Sequence, residues 1–181
     1  MHDPRLPVPL ADEATLHAAM LLEAERVLGL LRAAAARVVT AESCTGGLVA
    51  SGLTHFPGSS DMTEGGLVTY SNTMKQTLLG VPDAILAQHG AVSEPTVLAM
   101  AHGALSAARL ARLSVAVSGI AGPGGGSAVK PVGLVWFAVA DRKNVTAKAA
   151  KQVFPGSREQ IRLQAARYAL TMVADCLSGT L

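Results

Sequence analysis

Short β-branched runs alternate along this chain with stretches of helical periodicity, and few architectures accommodate that alternation. Arg37-Val38-Val39-Thr40-Ala41, Gly66-Leu67-Val68-Thr69-Tyr70 and Ser114-Val115-Ala116-Val117-Ser118 each read as a strand. From about Ala14 to Ala36, Leu16, Met20, Val27, Leu30, Leu31 and Ala34 recur at helical spacing. Leu48 to Thr54 reads as a helix opening from the turn Cys44-Thr45-Gly46-Gly47, and Pro57-Gly58-Ser59-Ser60 then breaks the chain. Ser71-Asn72 can cap a helix running to about Leu79, which Gly80-Val81-Pro82 stops. Ser93 is the next cap, with Pro95 tolerated in the first turn and Val97, Ala101, Ala104, Leu105 and Ala108 on one apolar face. Two more strands, at about Gly133–Ala140 and Val145–Phe154, flank the polar turn Asp141-Arg142-Lys143-Asn144. Ser157 starts a last helix, with Gln160 completing a capping box and Ile161, Ala165, Tyr168, Ala169, Met172 and Cys176 marking its buried stripe. Alternating strands and helices followed by a hairpin predict one α/β domain, its mixed sheet flanked by helices and parallel in its first half.

A length of 181 residues suits one domain, expected over 13–181, with the proline-containing stretch 1–12 as an N-terminal tail. Half the chain is apolar and only 3% aromatic, so the core must be built from Ala, Val, Leu and Ile. The formal charge of +2 carries no Lys/Arg block and no basic–aromatic interleaving, so no nucleic-acid footprint is present. Cys44 and Cys176 have neither zinc-site nor disulfide-framework spacing, and the carboxylates Glu42, Asp61 and Glu64 form no recognisable cage; no metal is expected. The N-terminus lacks the basic start and apolar run of a signal peptide. Glu23, Glu25, Arg26 and Arg32 interrupt the apolar stretch from Ala18 to Ala36. A cytoplasmic protein with no membrane partner is the expectation.

Three segments depart from plain fold-building sequence, and each follows a strand: Ser43-Cys44-Thr45-Gly46-Gly47, Tyr70-Ser71-Asn72 with Lys75, and the glycine-rich 119–126. In an open α/β sheet such loops converge on one crevice if their strands are parallel neighbours. Ser43, at a strand-to-helix turn, can be a nucleophile, with N–H groups of Thr45, Gly46 or Gly47 as oxyanion donors. Taken alone, the same Ser-x-x-Gly only caps a helix. A serine hydroxyl needs a base, and His2, His17, His55, His89 and His102 have no motif partners. Lys75 sits in the first turn of a helix, where the dipole disfavours the ammonium form, and Tyr70 can relay a proton or protonate a leaving nitrogen. Cys44 is a rival nucleophile, but adjacent residues leaving a strand point to opposite sides, so it is expected beneath the pocket. The bare backbone of 119–126 can nest an anion, although it is neither a Walker A sequence nor a Rossmann fingerprint. Arg158 is a candidate phosphate or carboxylate clamp.

In order along the chain, Thr40-Ala41-Glu42-Ser43-Cys44-Thr45-Gly46-Gly47, Pro57-Gly58-Ser59-Ser60, Tyr70-Ser71-Asn72 with Lys75 and Leu79-Gly80-Val81 are followed by His89-Gly90-Ala91-Val92-Ser93, Ser118 to Gly126 and Lys130-Pro131-Val132-Gly133. This series resembles the signatures of the CinA C-terminal domain family from about Arg37 to Tyr168. The family includes stand-alone nicotinamide-nucleotide amidohydrolases of PncC type. The resemblance implies hydrolysis of the carboxamide of nicotinamide mononucleotide to nicotinate mononucleotide and ammonia, with no cofactor. It implies a catalytic group falling on Ser43, Tyr70 and Lys75. Thr45, Gly46, Gly47, Asn72, Ser118, Gly119, Gly122, Gly124, Gly125, Gly126 and Arg158 are the residues expected to hold the substrate. Ser118 departs from the family's usual threonine but keeps a hydroxyl. Longer members carry an N-terminal nucleotide-pyrophosphatase domain, for which the stretch before Arg37 is too short, so that activity is expected to be absent. A homo-oligomer is also implied. Two other readings are a non-catalytic nucleotide-binding or regulatory module, which would bind without turnover, and an amidohydrolase acting on another small amide.

Overall fold

The computed structural model describes residues 10–180, so residues 1–9 of the expected tail lie outside the described residues. The elements run α1 (Glu13–Ala33), β1 (Val38–Glu42), α2 (Leu48–Thr54), a 3-10 turn (Ser59–Asp61), β2 (Thr63–Val68), α3 (Asn72–Leu79) and α4 (Asp83–His89). They continue through α5 (Glu94–Ala107), β3 (Leu113–Gly119), β4 (Leu134–Asp141), β5 (Thr146–Val153) and α6 (Arg158–Ser178). The five strands form one mixed sheet in the order β2-β1-β3-β4-β5. β1 pairs parallel with both β2 and β3, whereas β4 runs antiparallel to β3 and β5.

Side-chain size divides the two faces of the sheet. Along β3, Leu113, Val115 and Val117 point to one side and join a core with α1, α2 and α6. Ser114, Ala116 and Ser118 point to the other, where small residues admit the helices closely. There Ala116 joins a second core with residues of α3, α4 and α5, and Ser114 Oγ donates to Ala101 O of α5 at 2.7 Å. Buried helices therefore cover both faces in an α/β/α sandwich. Glycine permits the tightest approach: a Cβ on Gly66 of β2 would lie 2.6 Å from Ala50 Cβ of α2.

Local chemistry sets the element ends. Asp12 Oδ1 accepts from the Thr15 N–H at the start of α1, and Ser71 Oγ accepts from the Met74 N–H at the start of α3. The Ser157–Gln160 capping box is present in both directions at α6. Two elements differ from the sequence expectation. α4 is unanticipated: seven residues carrying one buried apolar side chain, Leu86, are too few to show a period. The second strand begins at Thr63 rather than Gly66, because Val38 already pairs with Thr63 at the start of β1. No helix among the described residues is long and apolar enough to cross a membrane.

Candidate active site

Parallel register brings the ends of three strands level. Glu42, the last residue of β1, sits opposite Val68 of β2 and Val117 of β3. Ser43 and the Thr69-Tyr70 pair therefore leave the sheet beside Ser118, near the end of β3, at the carboxyl edge where α/β folds place ligands.

Within that crevice Lys75 is 1% exposed. Its Nζ lies 2.9 Å from Thr69 O, 3.3 Å from Tyr70 O and 3.0 Å from Ser43 Oγ. A neutral amine offers two hydrogens and one lone pair. As an ammonium Lys75 donates to all three oxygens; in the neutral form the two carbonyls can take its hydrogens, which leaves the lone pair to accept from the Ser43 hydroxyl. Burial holds the Lys75 amine below the ordinary lysine range, and among the described residues no carboxylate is a hydrogen-bond partner that would restore the charge. The main cause is thus desolvation, where the sequence suggested the dipole of α3. Cys44 is almost fully buried, and burial pushes its thiol up to about 12, the opposite of an activated nucleophile.

The turn after Ser43 corrects one expectation. The Gly46 and Gly47 N–H groups are not free: Gly46 donates to Ser43 O at 3.1 Å and Gly47 to Glu42 Oε2 at 2.9 Å. Glu42 is fully buried and also accepts from Val49 N–H, Ala50 N–H and Thr40 Oγ1. One carboxylate thereby closes the N-terminus of α2, whose N-cap is a glycine with no side chain to offer. The Thr45 N–H alone of these three has no acceptor among the described residues.

A cavity of about 280 Å³ is lined by Ser43, Cys44, Lys75 and Tyr70, by Ala91 and Val92, by Ser118 to Gly122 with Gly124 and Gly125, and by Arg158. None of these is acidic. Ser118 Oγ is committed to Ala91 O at 2.7 Å. Gly122 has φ +78°, and a Cβ there would meet Val132 Cγ1 at 2.6 Å, so only glycine fits this bend. Arg158 Nη1 donates to Gly122 O at 2.7 Å and Nη2 to Tyr70 Oη at 3.2 Å, tying the glycine loop to the Tyr70 ring. That ring is 62% exposed, and its phenol makes no hydrogen bond to Ser43 or Lys75. Thr45, Gly46, Gly47, Asn72 and Gly126 lie outside the cavity lining. Asn72 is exposed at the start of α3, and Thr45 is buried with Oγ1 lacking a partner among the described residues.

The family described as CinA C-terminal domain matches residues 22–177. The chain belongs to the CinA C-terminal domain family. Nicotinamide-nucleotide amidohydrolase PncC of Escherichia coli strain K12 is 53% identical over 146 residues, 81% of this chain and 87% of that protein. The protein of the same name from Pseudomonas putida is 52% identical over 134 residues, covering 74% and 82%. The crystal structure of competence/damage inducible protein CihA from Agrobacterium tumefaciens superposes with a TM-score of 0.84 at 45% identity, covering 88% of this chain and 96% of that one.

Three features of this CinA-family site escape the sequence argument. Glu42 serves as a buried cap, Ala91 and Val92 wall the cavity, and Arg162 holds the turn after Ser43 from α6. A signal for Arg162 does exist: it lies one helical turn beyond Arg158, so both guanidinium groups share a face of α6.

Proposed function

We propose that this chain hydrolyses the carboxamide of nicotinamide mononucleotide, giving nicotinate mononucleotide and ammonia. The observation that carries the reading is the buried 3.0 Å contact between Ser43 Oγ and Lys75 Nζ, set in a cavity without carboxylates. Ser43 Oγ attacks the carboxamide carbon while its proton passes to Lys75 Nζ, and the C–N π-stabilised amide becomes a tetrahedral oxyanion. The Thr45 N–H, two residues beyond Ser43 and without an acceptor among the described residues, is the backbone donor this reading assigns to that oxyanion, although Thr45 itself does not line the cavity. The C–N bond breaks and the nitrogen leaves as ammonia, taking the proton held by Lys75. Tyr70 lines the same cavity, and its phenol assists that departure across the bound substrate. Water, deprotonated by Lys75, then cleaves the Ser43 ester to carboxylate and regenerates the hydroxyl.

Arg158 gives the reading its preference for a phosphorylated substrate. Among the residues lining the cavity it is the one guanidinium, and the amine of Lys75 is committed to Ser43 and two carbonyls. The guanidinium meets two neutral oxygens, both of which a phosphate outcompetes. Names of the relatives support the nicotinamide nucleotide as substrate. The test is ammonia release from nicotinamide mononucleotide, its riboside and nicotinamide. The expected result is turnover with strong preference for the mononucleotide, and a rise in KM of about tenfold or more for it alone in Arg158→Ala. Saturable binding with no turnover of any of the three would leave only a binding module.

A further inference from the structure

Two oppositely charged side chains grip the turn that presents Ser43, one at each pole of its peptide groups. Gly46 and Gly47 adopt positive φ values of 62° and 98°, backbone that glycine reaches easily and leaves as easily. On the amide side, Glu42 accepts the Gly47, Val49 and Ala50 N–H groups. On the carbonyl side, Arg162 donates through Nε to Cys44 O at 3.3 Å and through Nη2 to Thr45 O at 3.0 Å. Its remaining nitrogen Nη1 pairs with Glu159 Oε2 at 2.7 Å, which aims the guanidinium. The group lies over Gly46, where a Cβ would come within 3.3 Å of Nη2.

We infer that Arg162, opposed by Glu42, is a positioning residue that fixes the Ser43 hydroxyl against Lys75 and orients the Thr45 N–H. The inference rests on the hydrolytic reading of Ser43 given above. In a trans peptide the C=O and N–H point in opposite directions. Cys44 O and the Thr45 N–H belong to one peptide group, so the bond from Arg162 to that oxygen turns the Thr45 N–H to the far side of the turn and polarises it. Lysine cannot replace this device, since one ammonium cannot present the planar fork that spans two successive carbonyls. Arg162 is not among the residues that line the substrate cavity, so its effect falls on kcat.

Arg162→Gln and Arg162→Lys, assayed by ammonia release from nicotinamide mononucleotide, test this. Misplacing a reacting group by an ångström costs about 100-fold, so kcat is expected to fall about 10- to 100-fold with KM changed less than about threefold. Added guanidinium ion should restore part of kcat in Arg162→Ala. Unchanged kcat in folded Arg162→Gln, or a rise in KM at constant kcat, overturns the inference. A fall in activity matched by loss of melting temperature, without guanidinium rescue, also overturns it. Where the Gln and Ala variants fail to fold, Arg162→Lys decides: full kcat there contradicts the fork. The rate at which a fluorophosphonate labels Ser43, read by intact mass, separates this inference from the substrate assignment. A wild-type protein that labels but leaves the nucleotide intact refutes the proposed function, and slower labelling in the Arg162 variants still supports the clamp. Absence of both labelling and turnover refutes both.

Discussion

Replacing Ser43 by alanine should reduce ammonia release from nicotinamide mononucleotide by about a thousandfold or more, with the fold intact. The change removes one oxygen that Lys75 Nζ approaches at 3.0 Å and leaves the turn otherwise held by Glu42 and Arg162. Lys75 keeps two carbonyl acceptors, Thr69 O and Tyr70 O, so the amine is not orphaned. Circular dichroism and thermal melting should therefore match the wild type while a steady-state assay shows residual turnover. Cys44 offers no substitute, because its thiol is buried and its ionisation is pushed up to about 12. Full activity in the alanine variant would remove Ser43 from the chemistry.

Lys75→Met should cost a comparable factor in kcat, and the double variant with Ser43→Ala should be no worse than either alone, since a nucleophile and its base act as one unit. Methionine has nearly the same reach and no charge. Stability responds to two opposed effects: relief from burying an amine, and loss of a donor for Thr69 O and Tyr70 O. Each is on the order of 1–3 kcal/mol, so the melting temperature should move little while the rate collapses. A variant that keeps more than a tenth of the wild-type kcat would show that Ser43 is activated by some other base.

The layers of the fold were readable because β1, β3 and β4 are buried runs bounded by turns, and because side-chain caps at Ser71 and Ser157 announce helix starts; Ser93 stands at the start of α5 without a side-chain cap bond. α4 left too little pattern, with one buried apolar residue in seven. In the site, Ser43 and Lys75 stand out because each follows a strand end and carries a functional group that plain helix or strand sequence does not require. Their 32-residue separation is spanned by the parallel pairing of β1 and β2. Glu42 and Arg162 resist such reading for a different reason. They act on backbone N–H and C=O groups, which every residue carries, and Arg162 does so across 118 positions of sequence. Gly46 and Gly47 are not the free donors that the sequence suggests: a glycine turn exposes amides only where neither its own carbonyls nor a buried carboxylate has taken them, and here Ser43 O holds the first and Glu42 the second.

The protonation state of Lys75 tests the central claim most directly, read from the side-chain carbon resonances of ¹³C-lysine-labelled protein and assigned by their disappearance in Lys75→Met. A base must be neutral to accept the Ser43 proton, so activity is lost as pH falls through the folded-state pKa of Lys75, which burial sets below the ordinary lysine range. The account predicts a Lys75 titration midpoint in that lowered range, coincident with the acidic limb of kcat/KM. A Lys75 that stays an ammonium throughout the pH range where kcat/KM is at its plateau would contradict it.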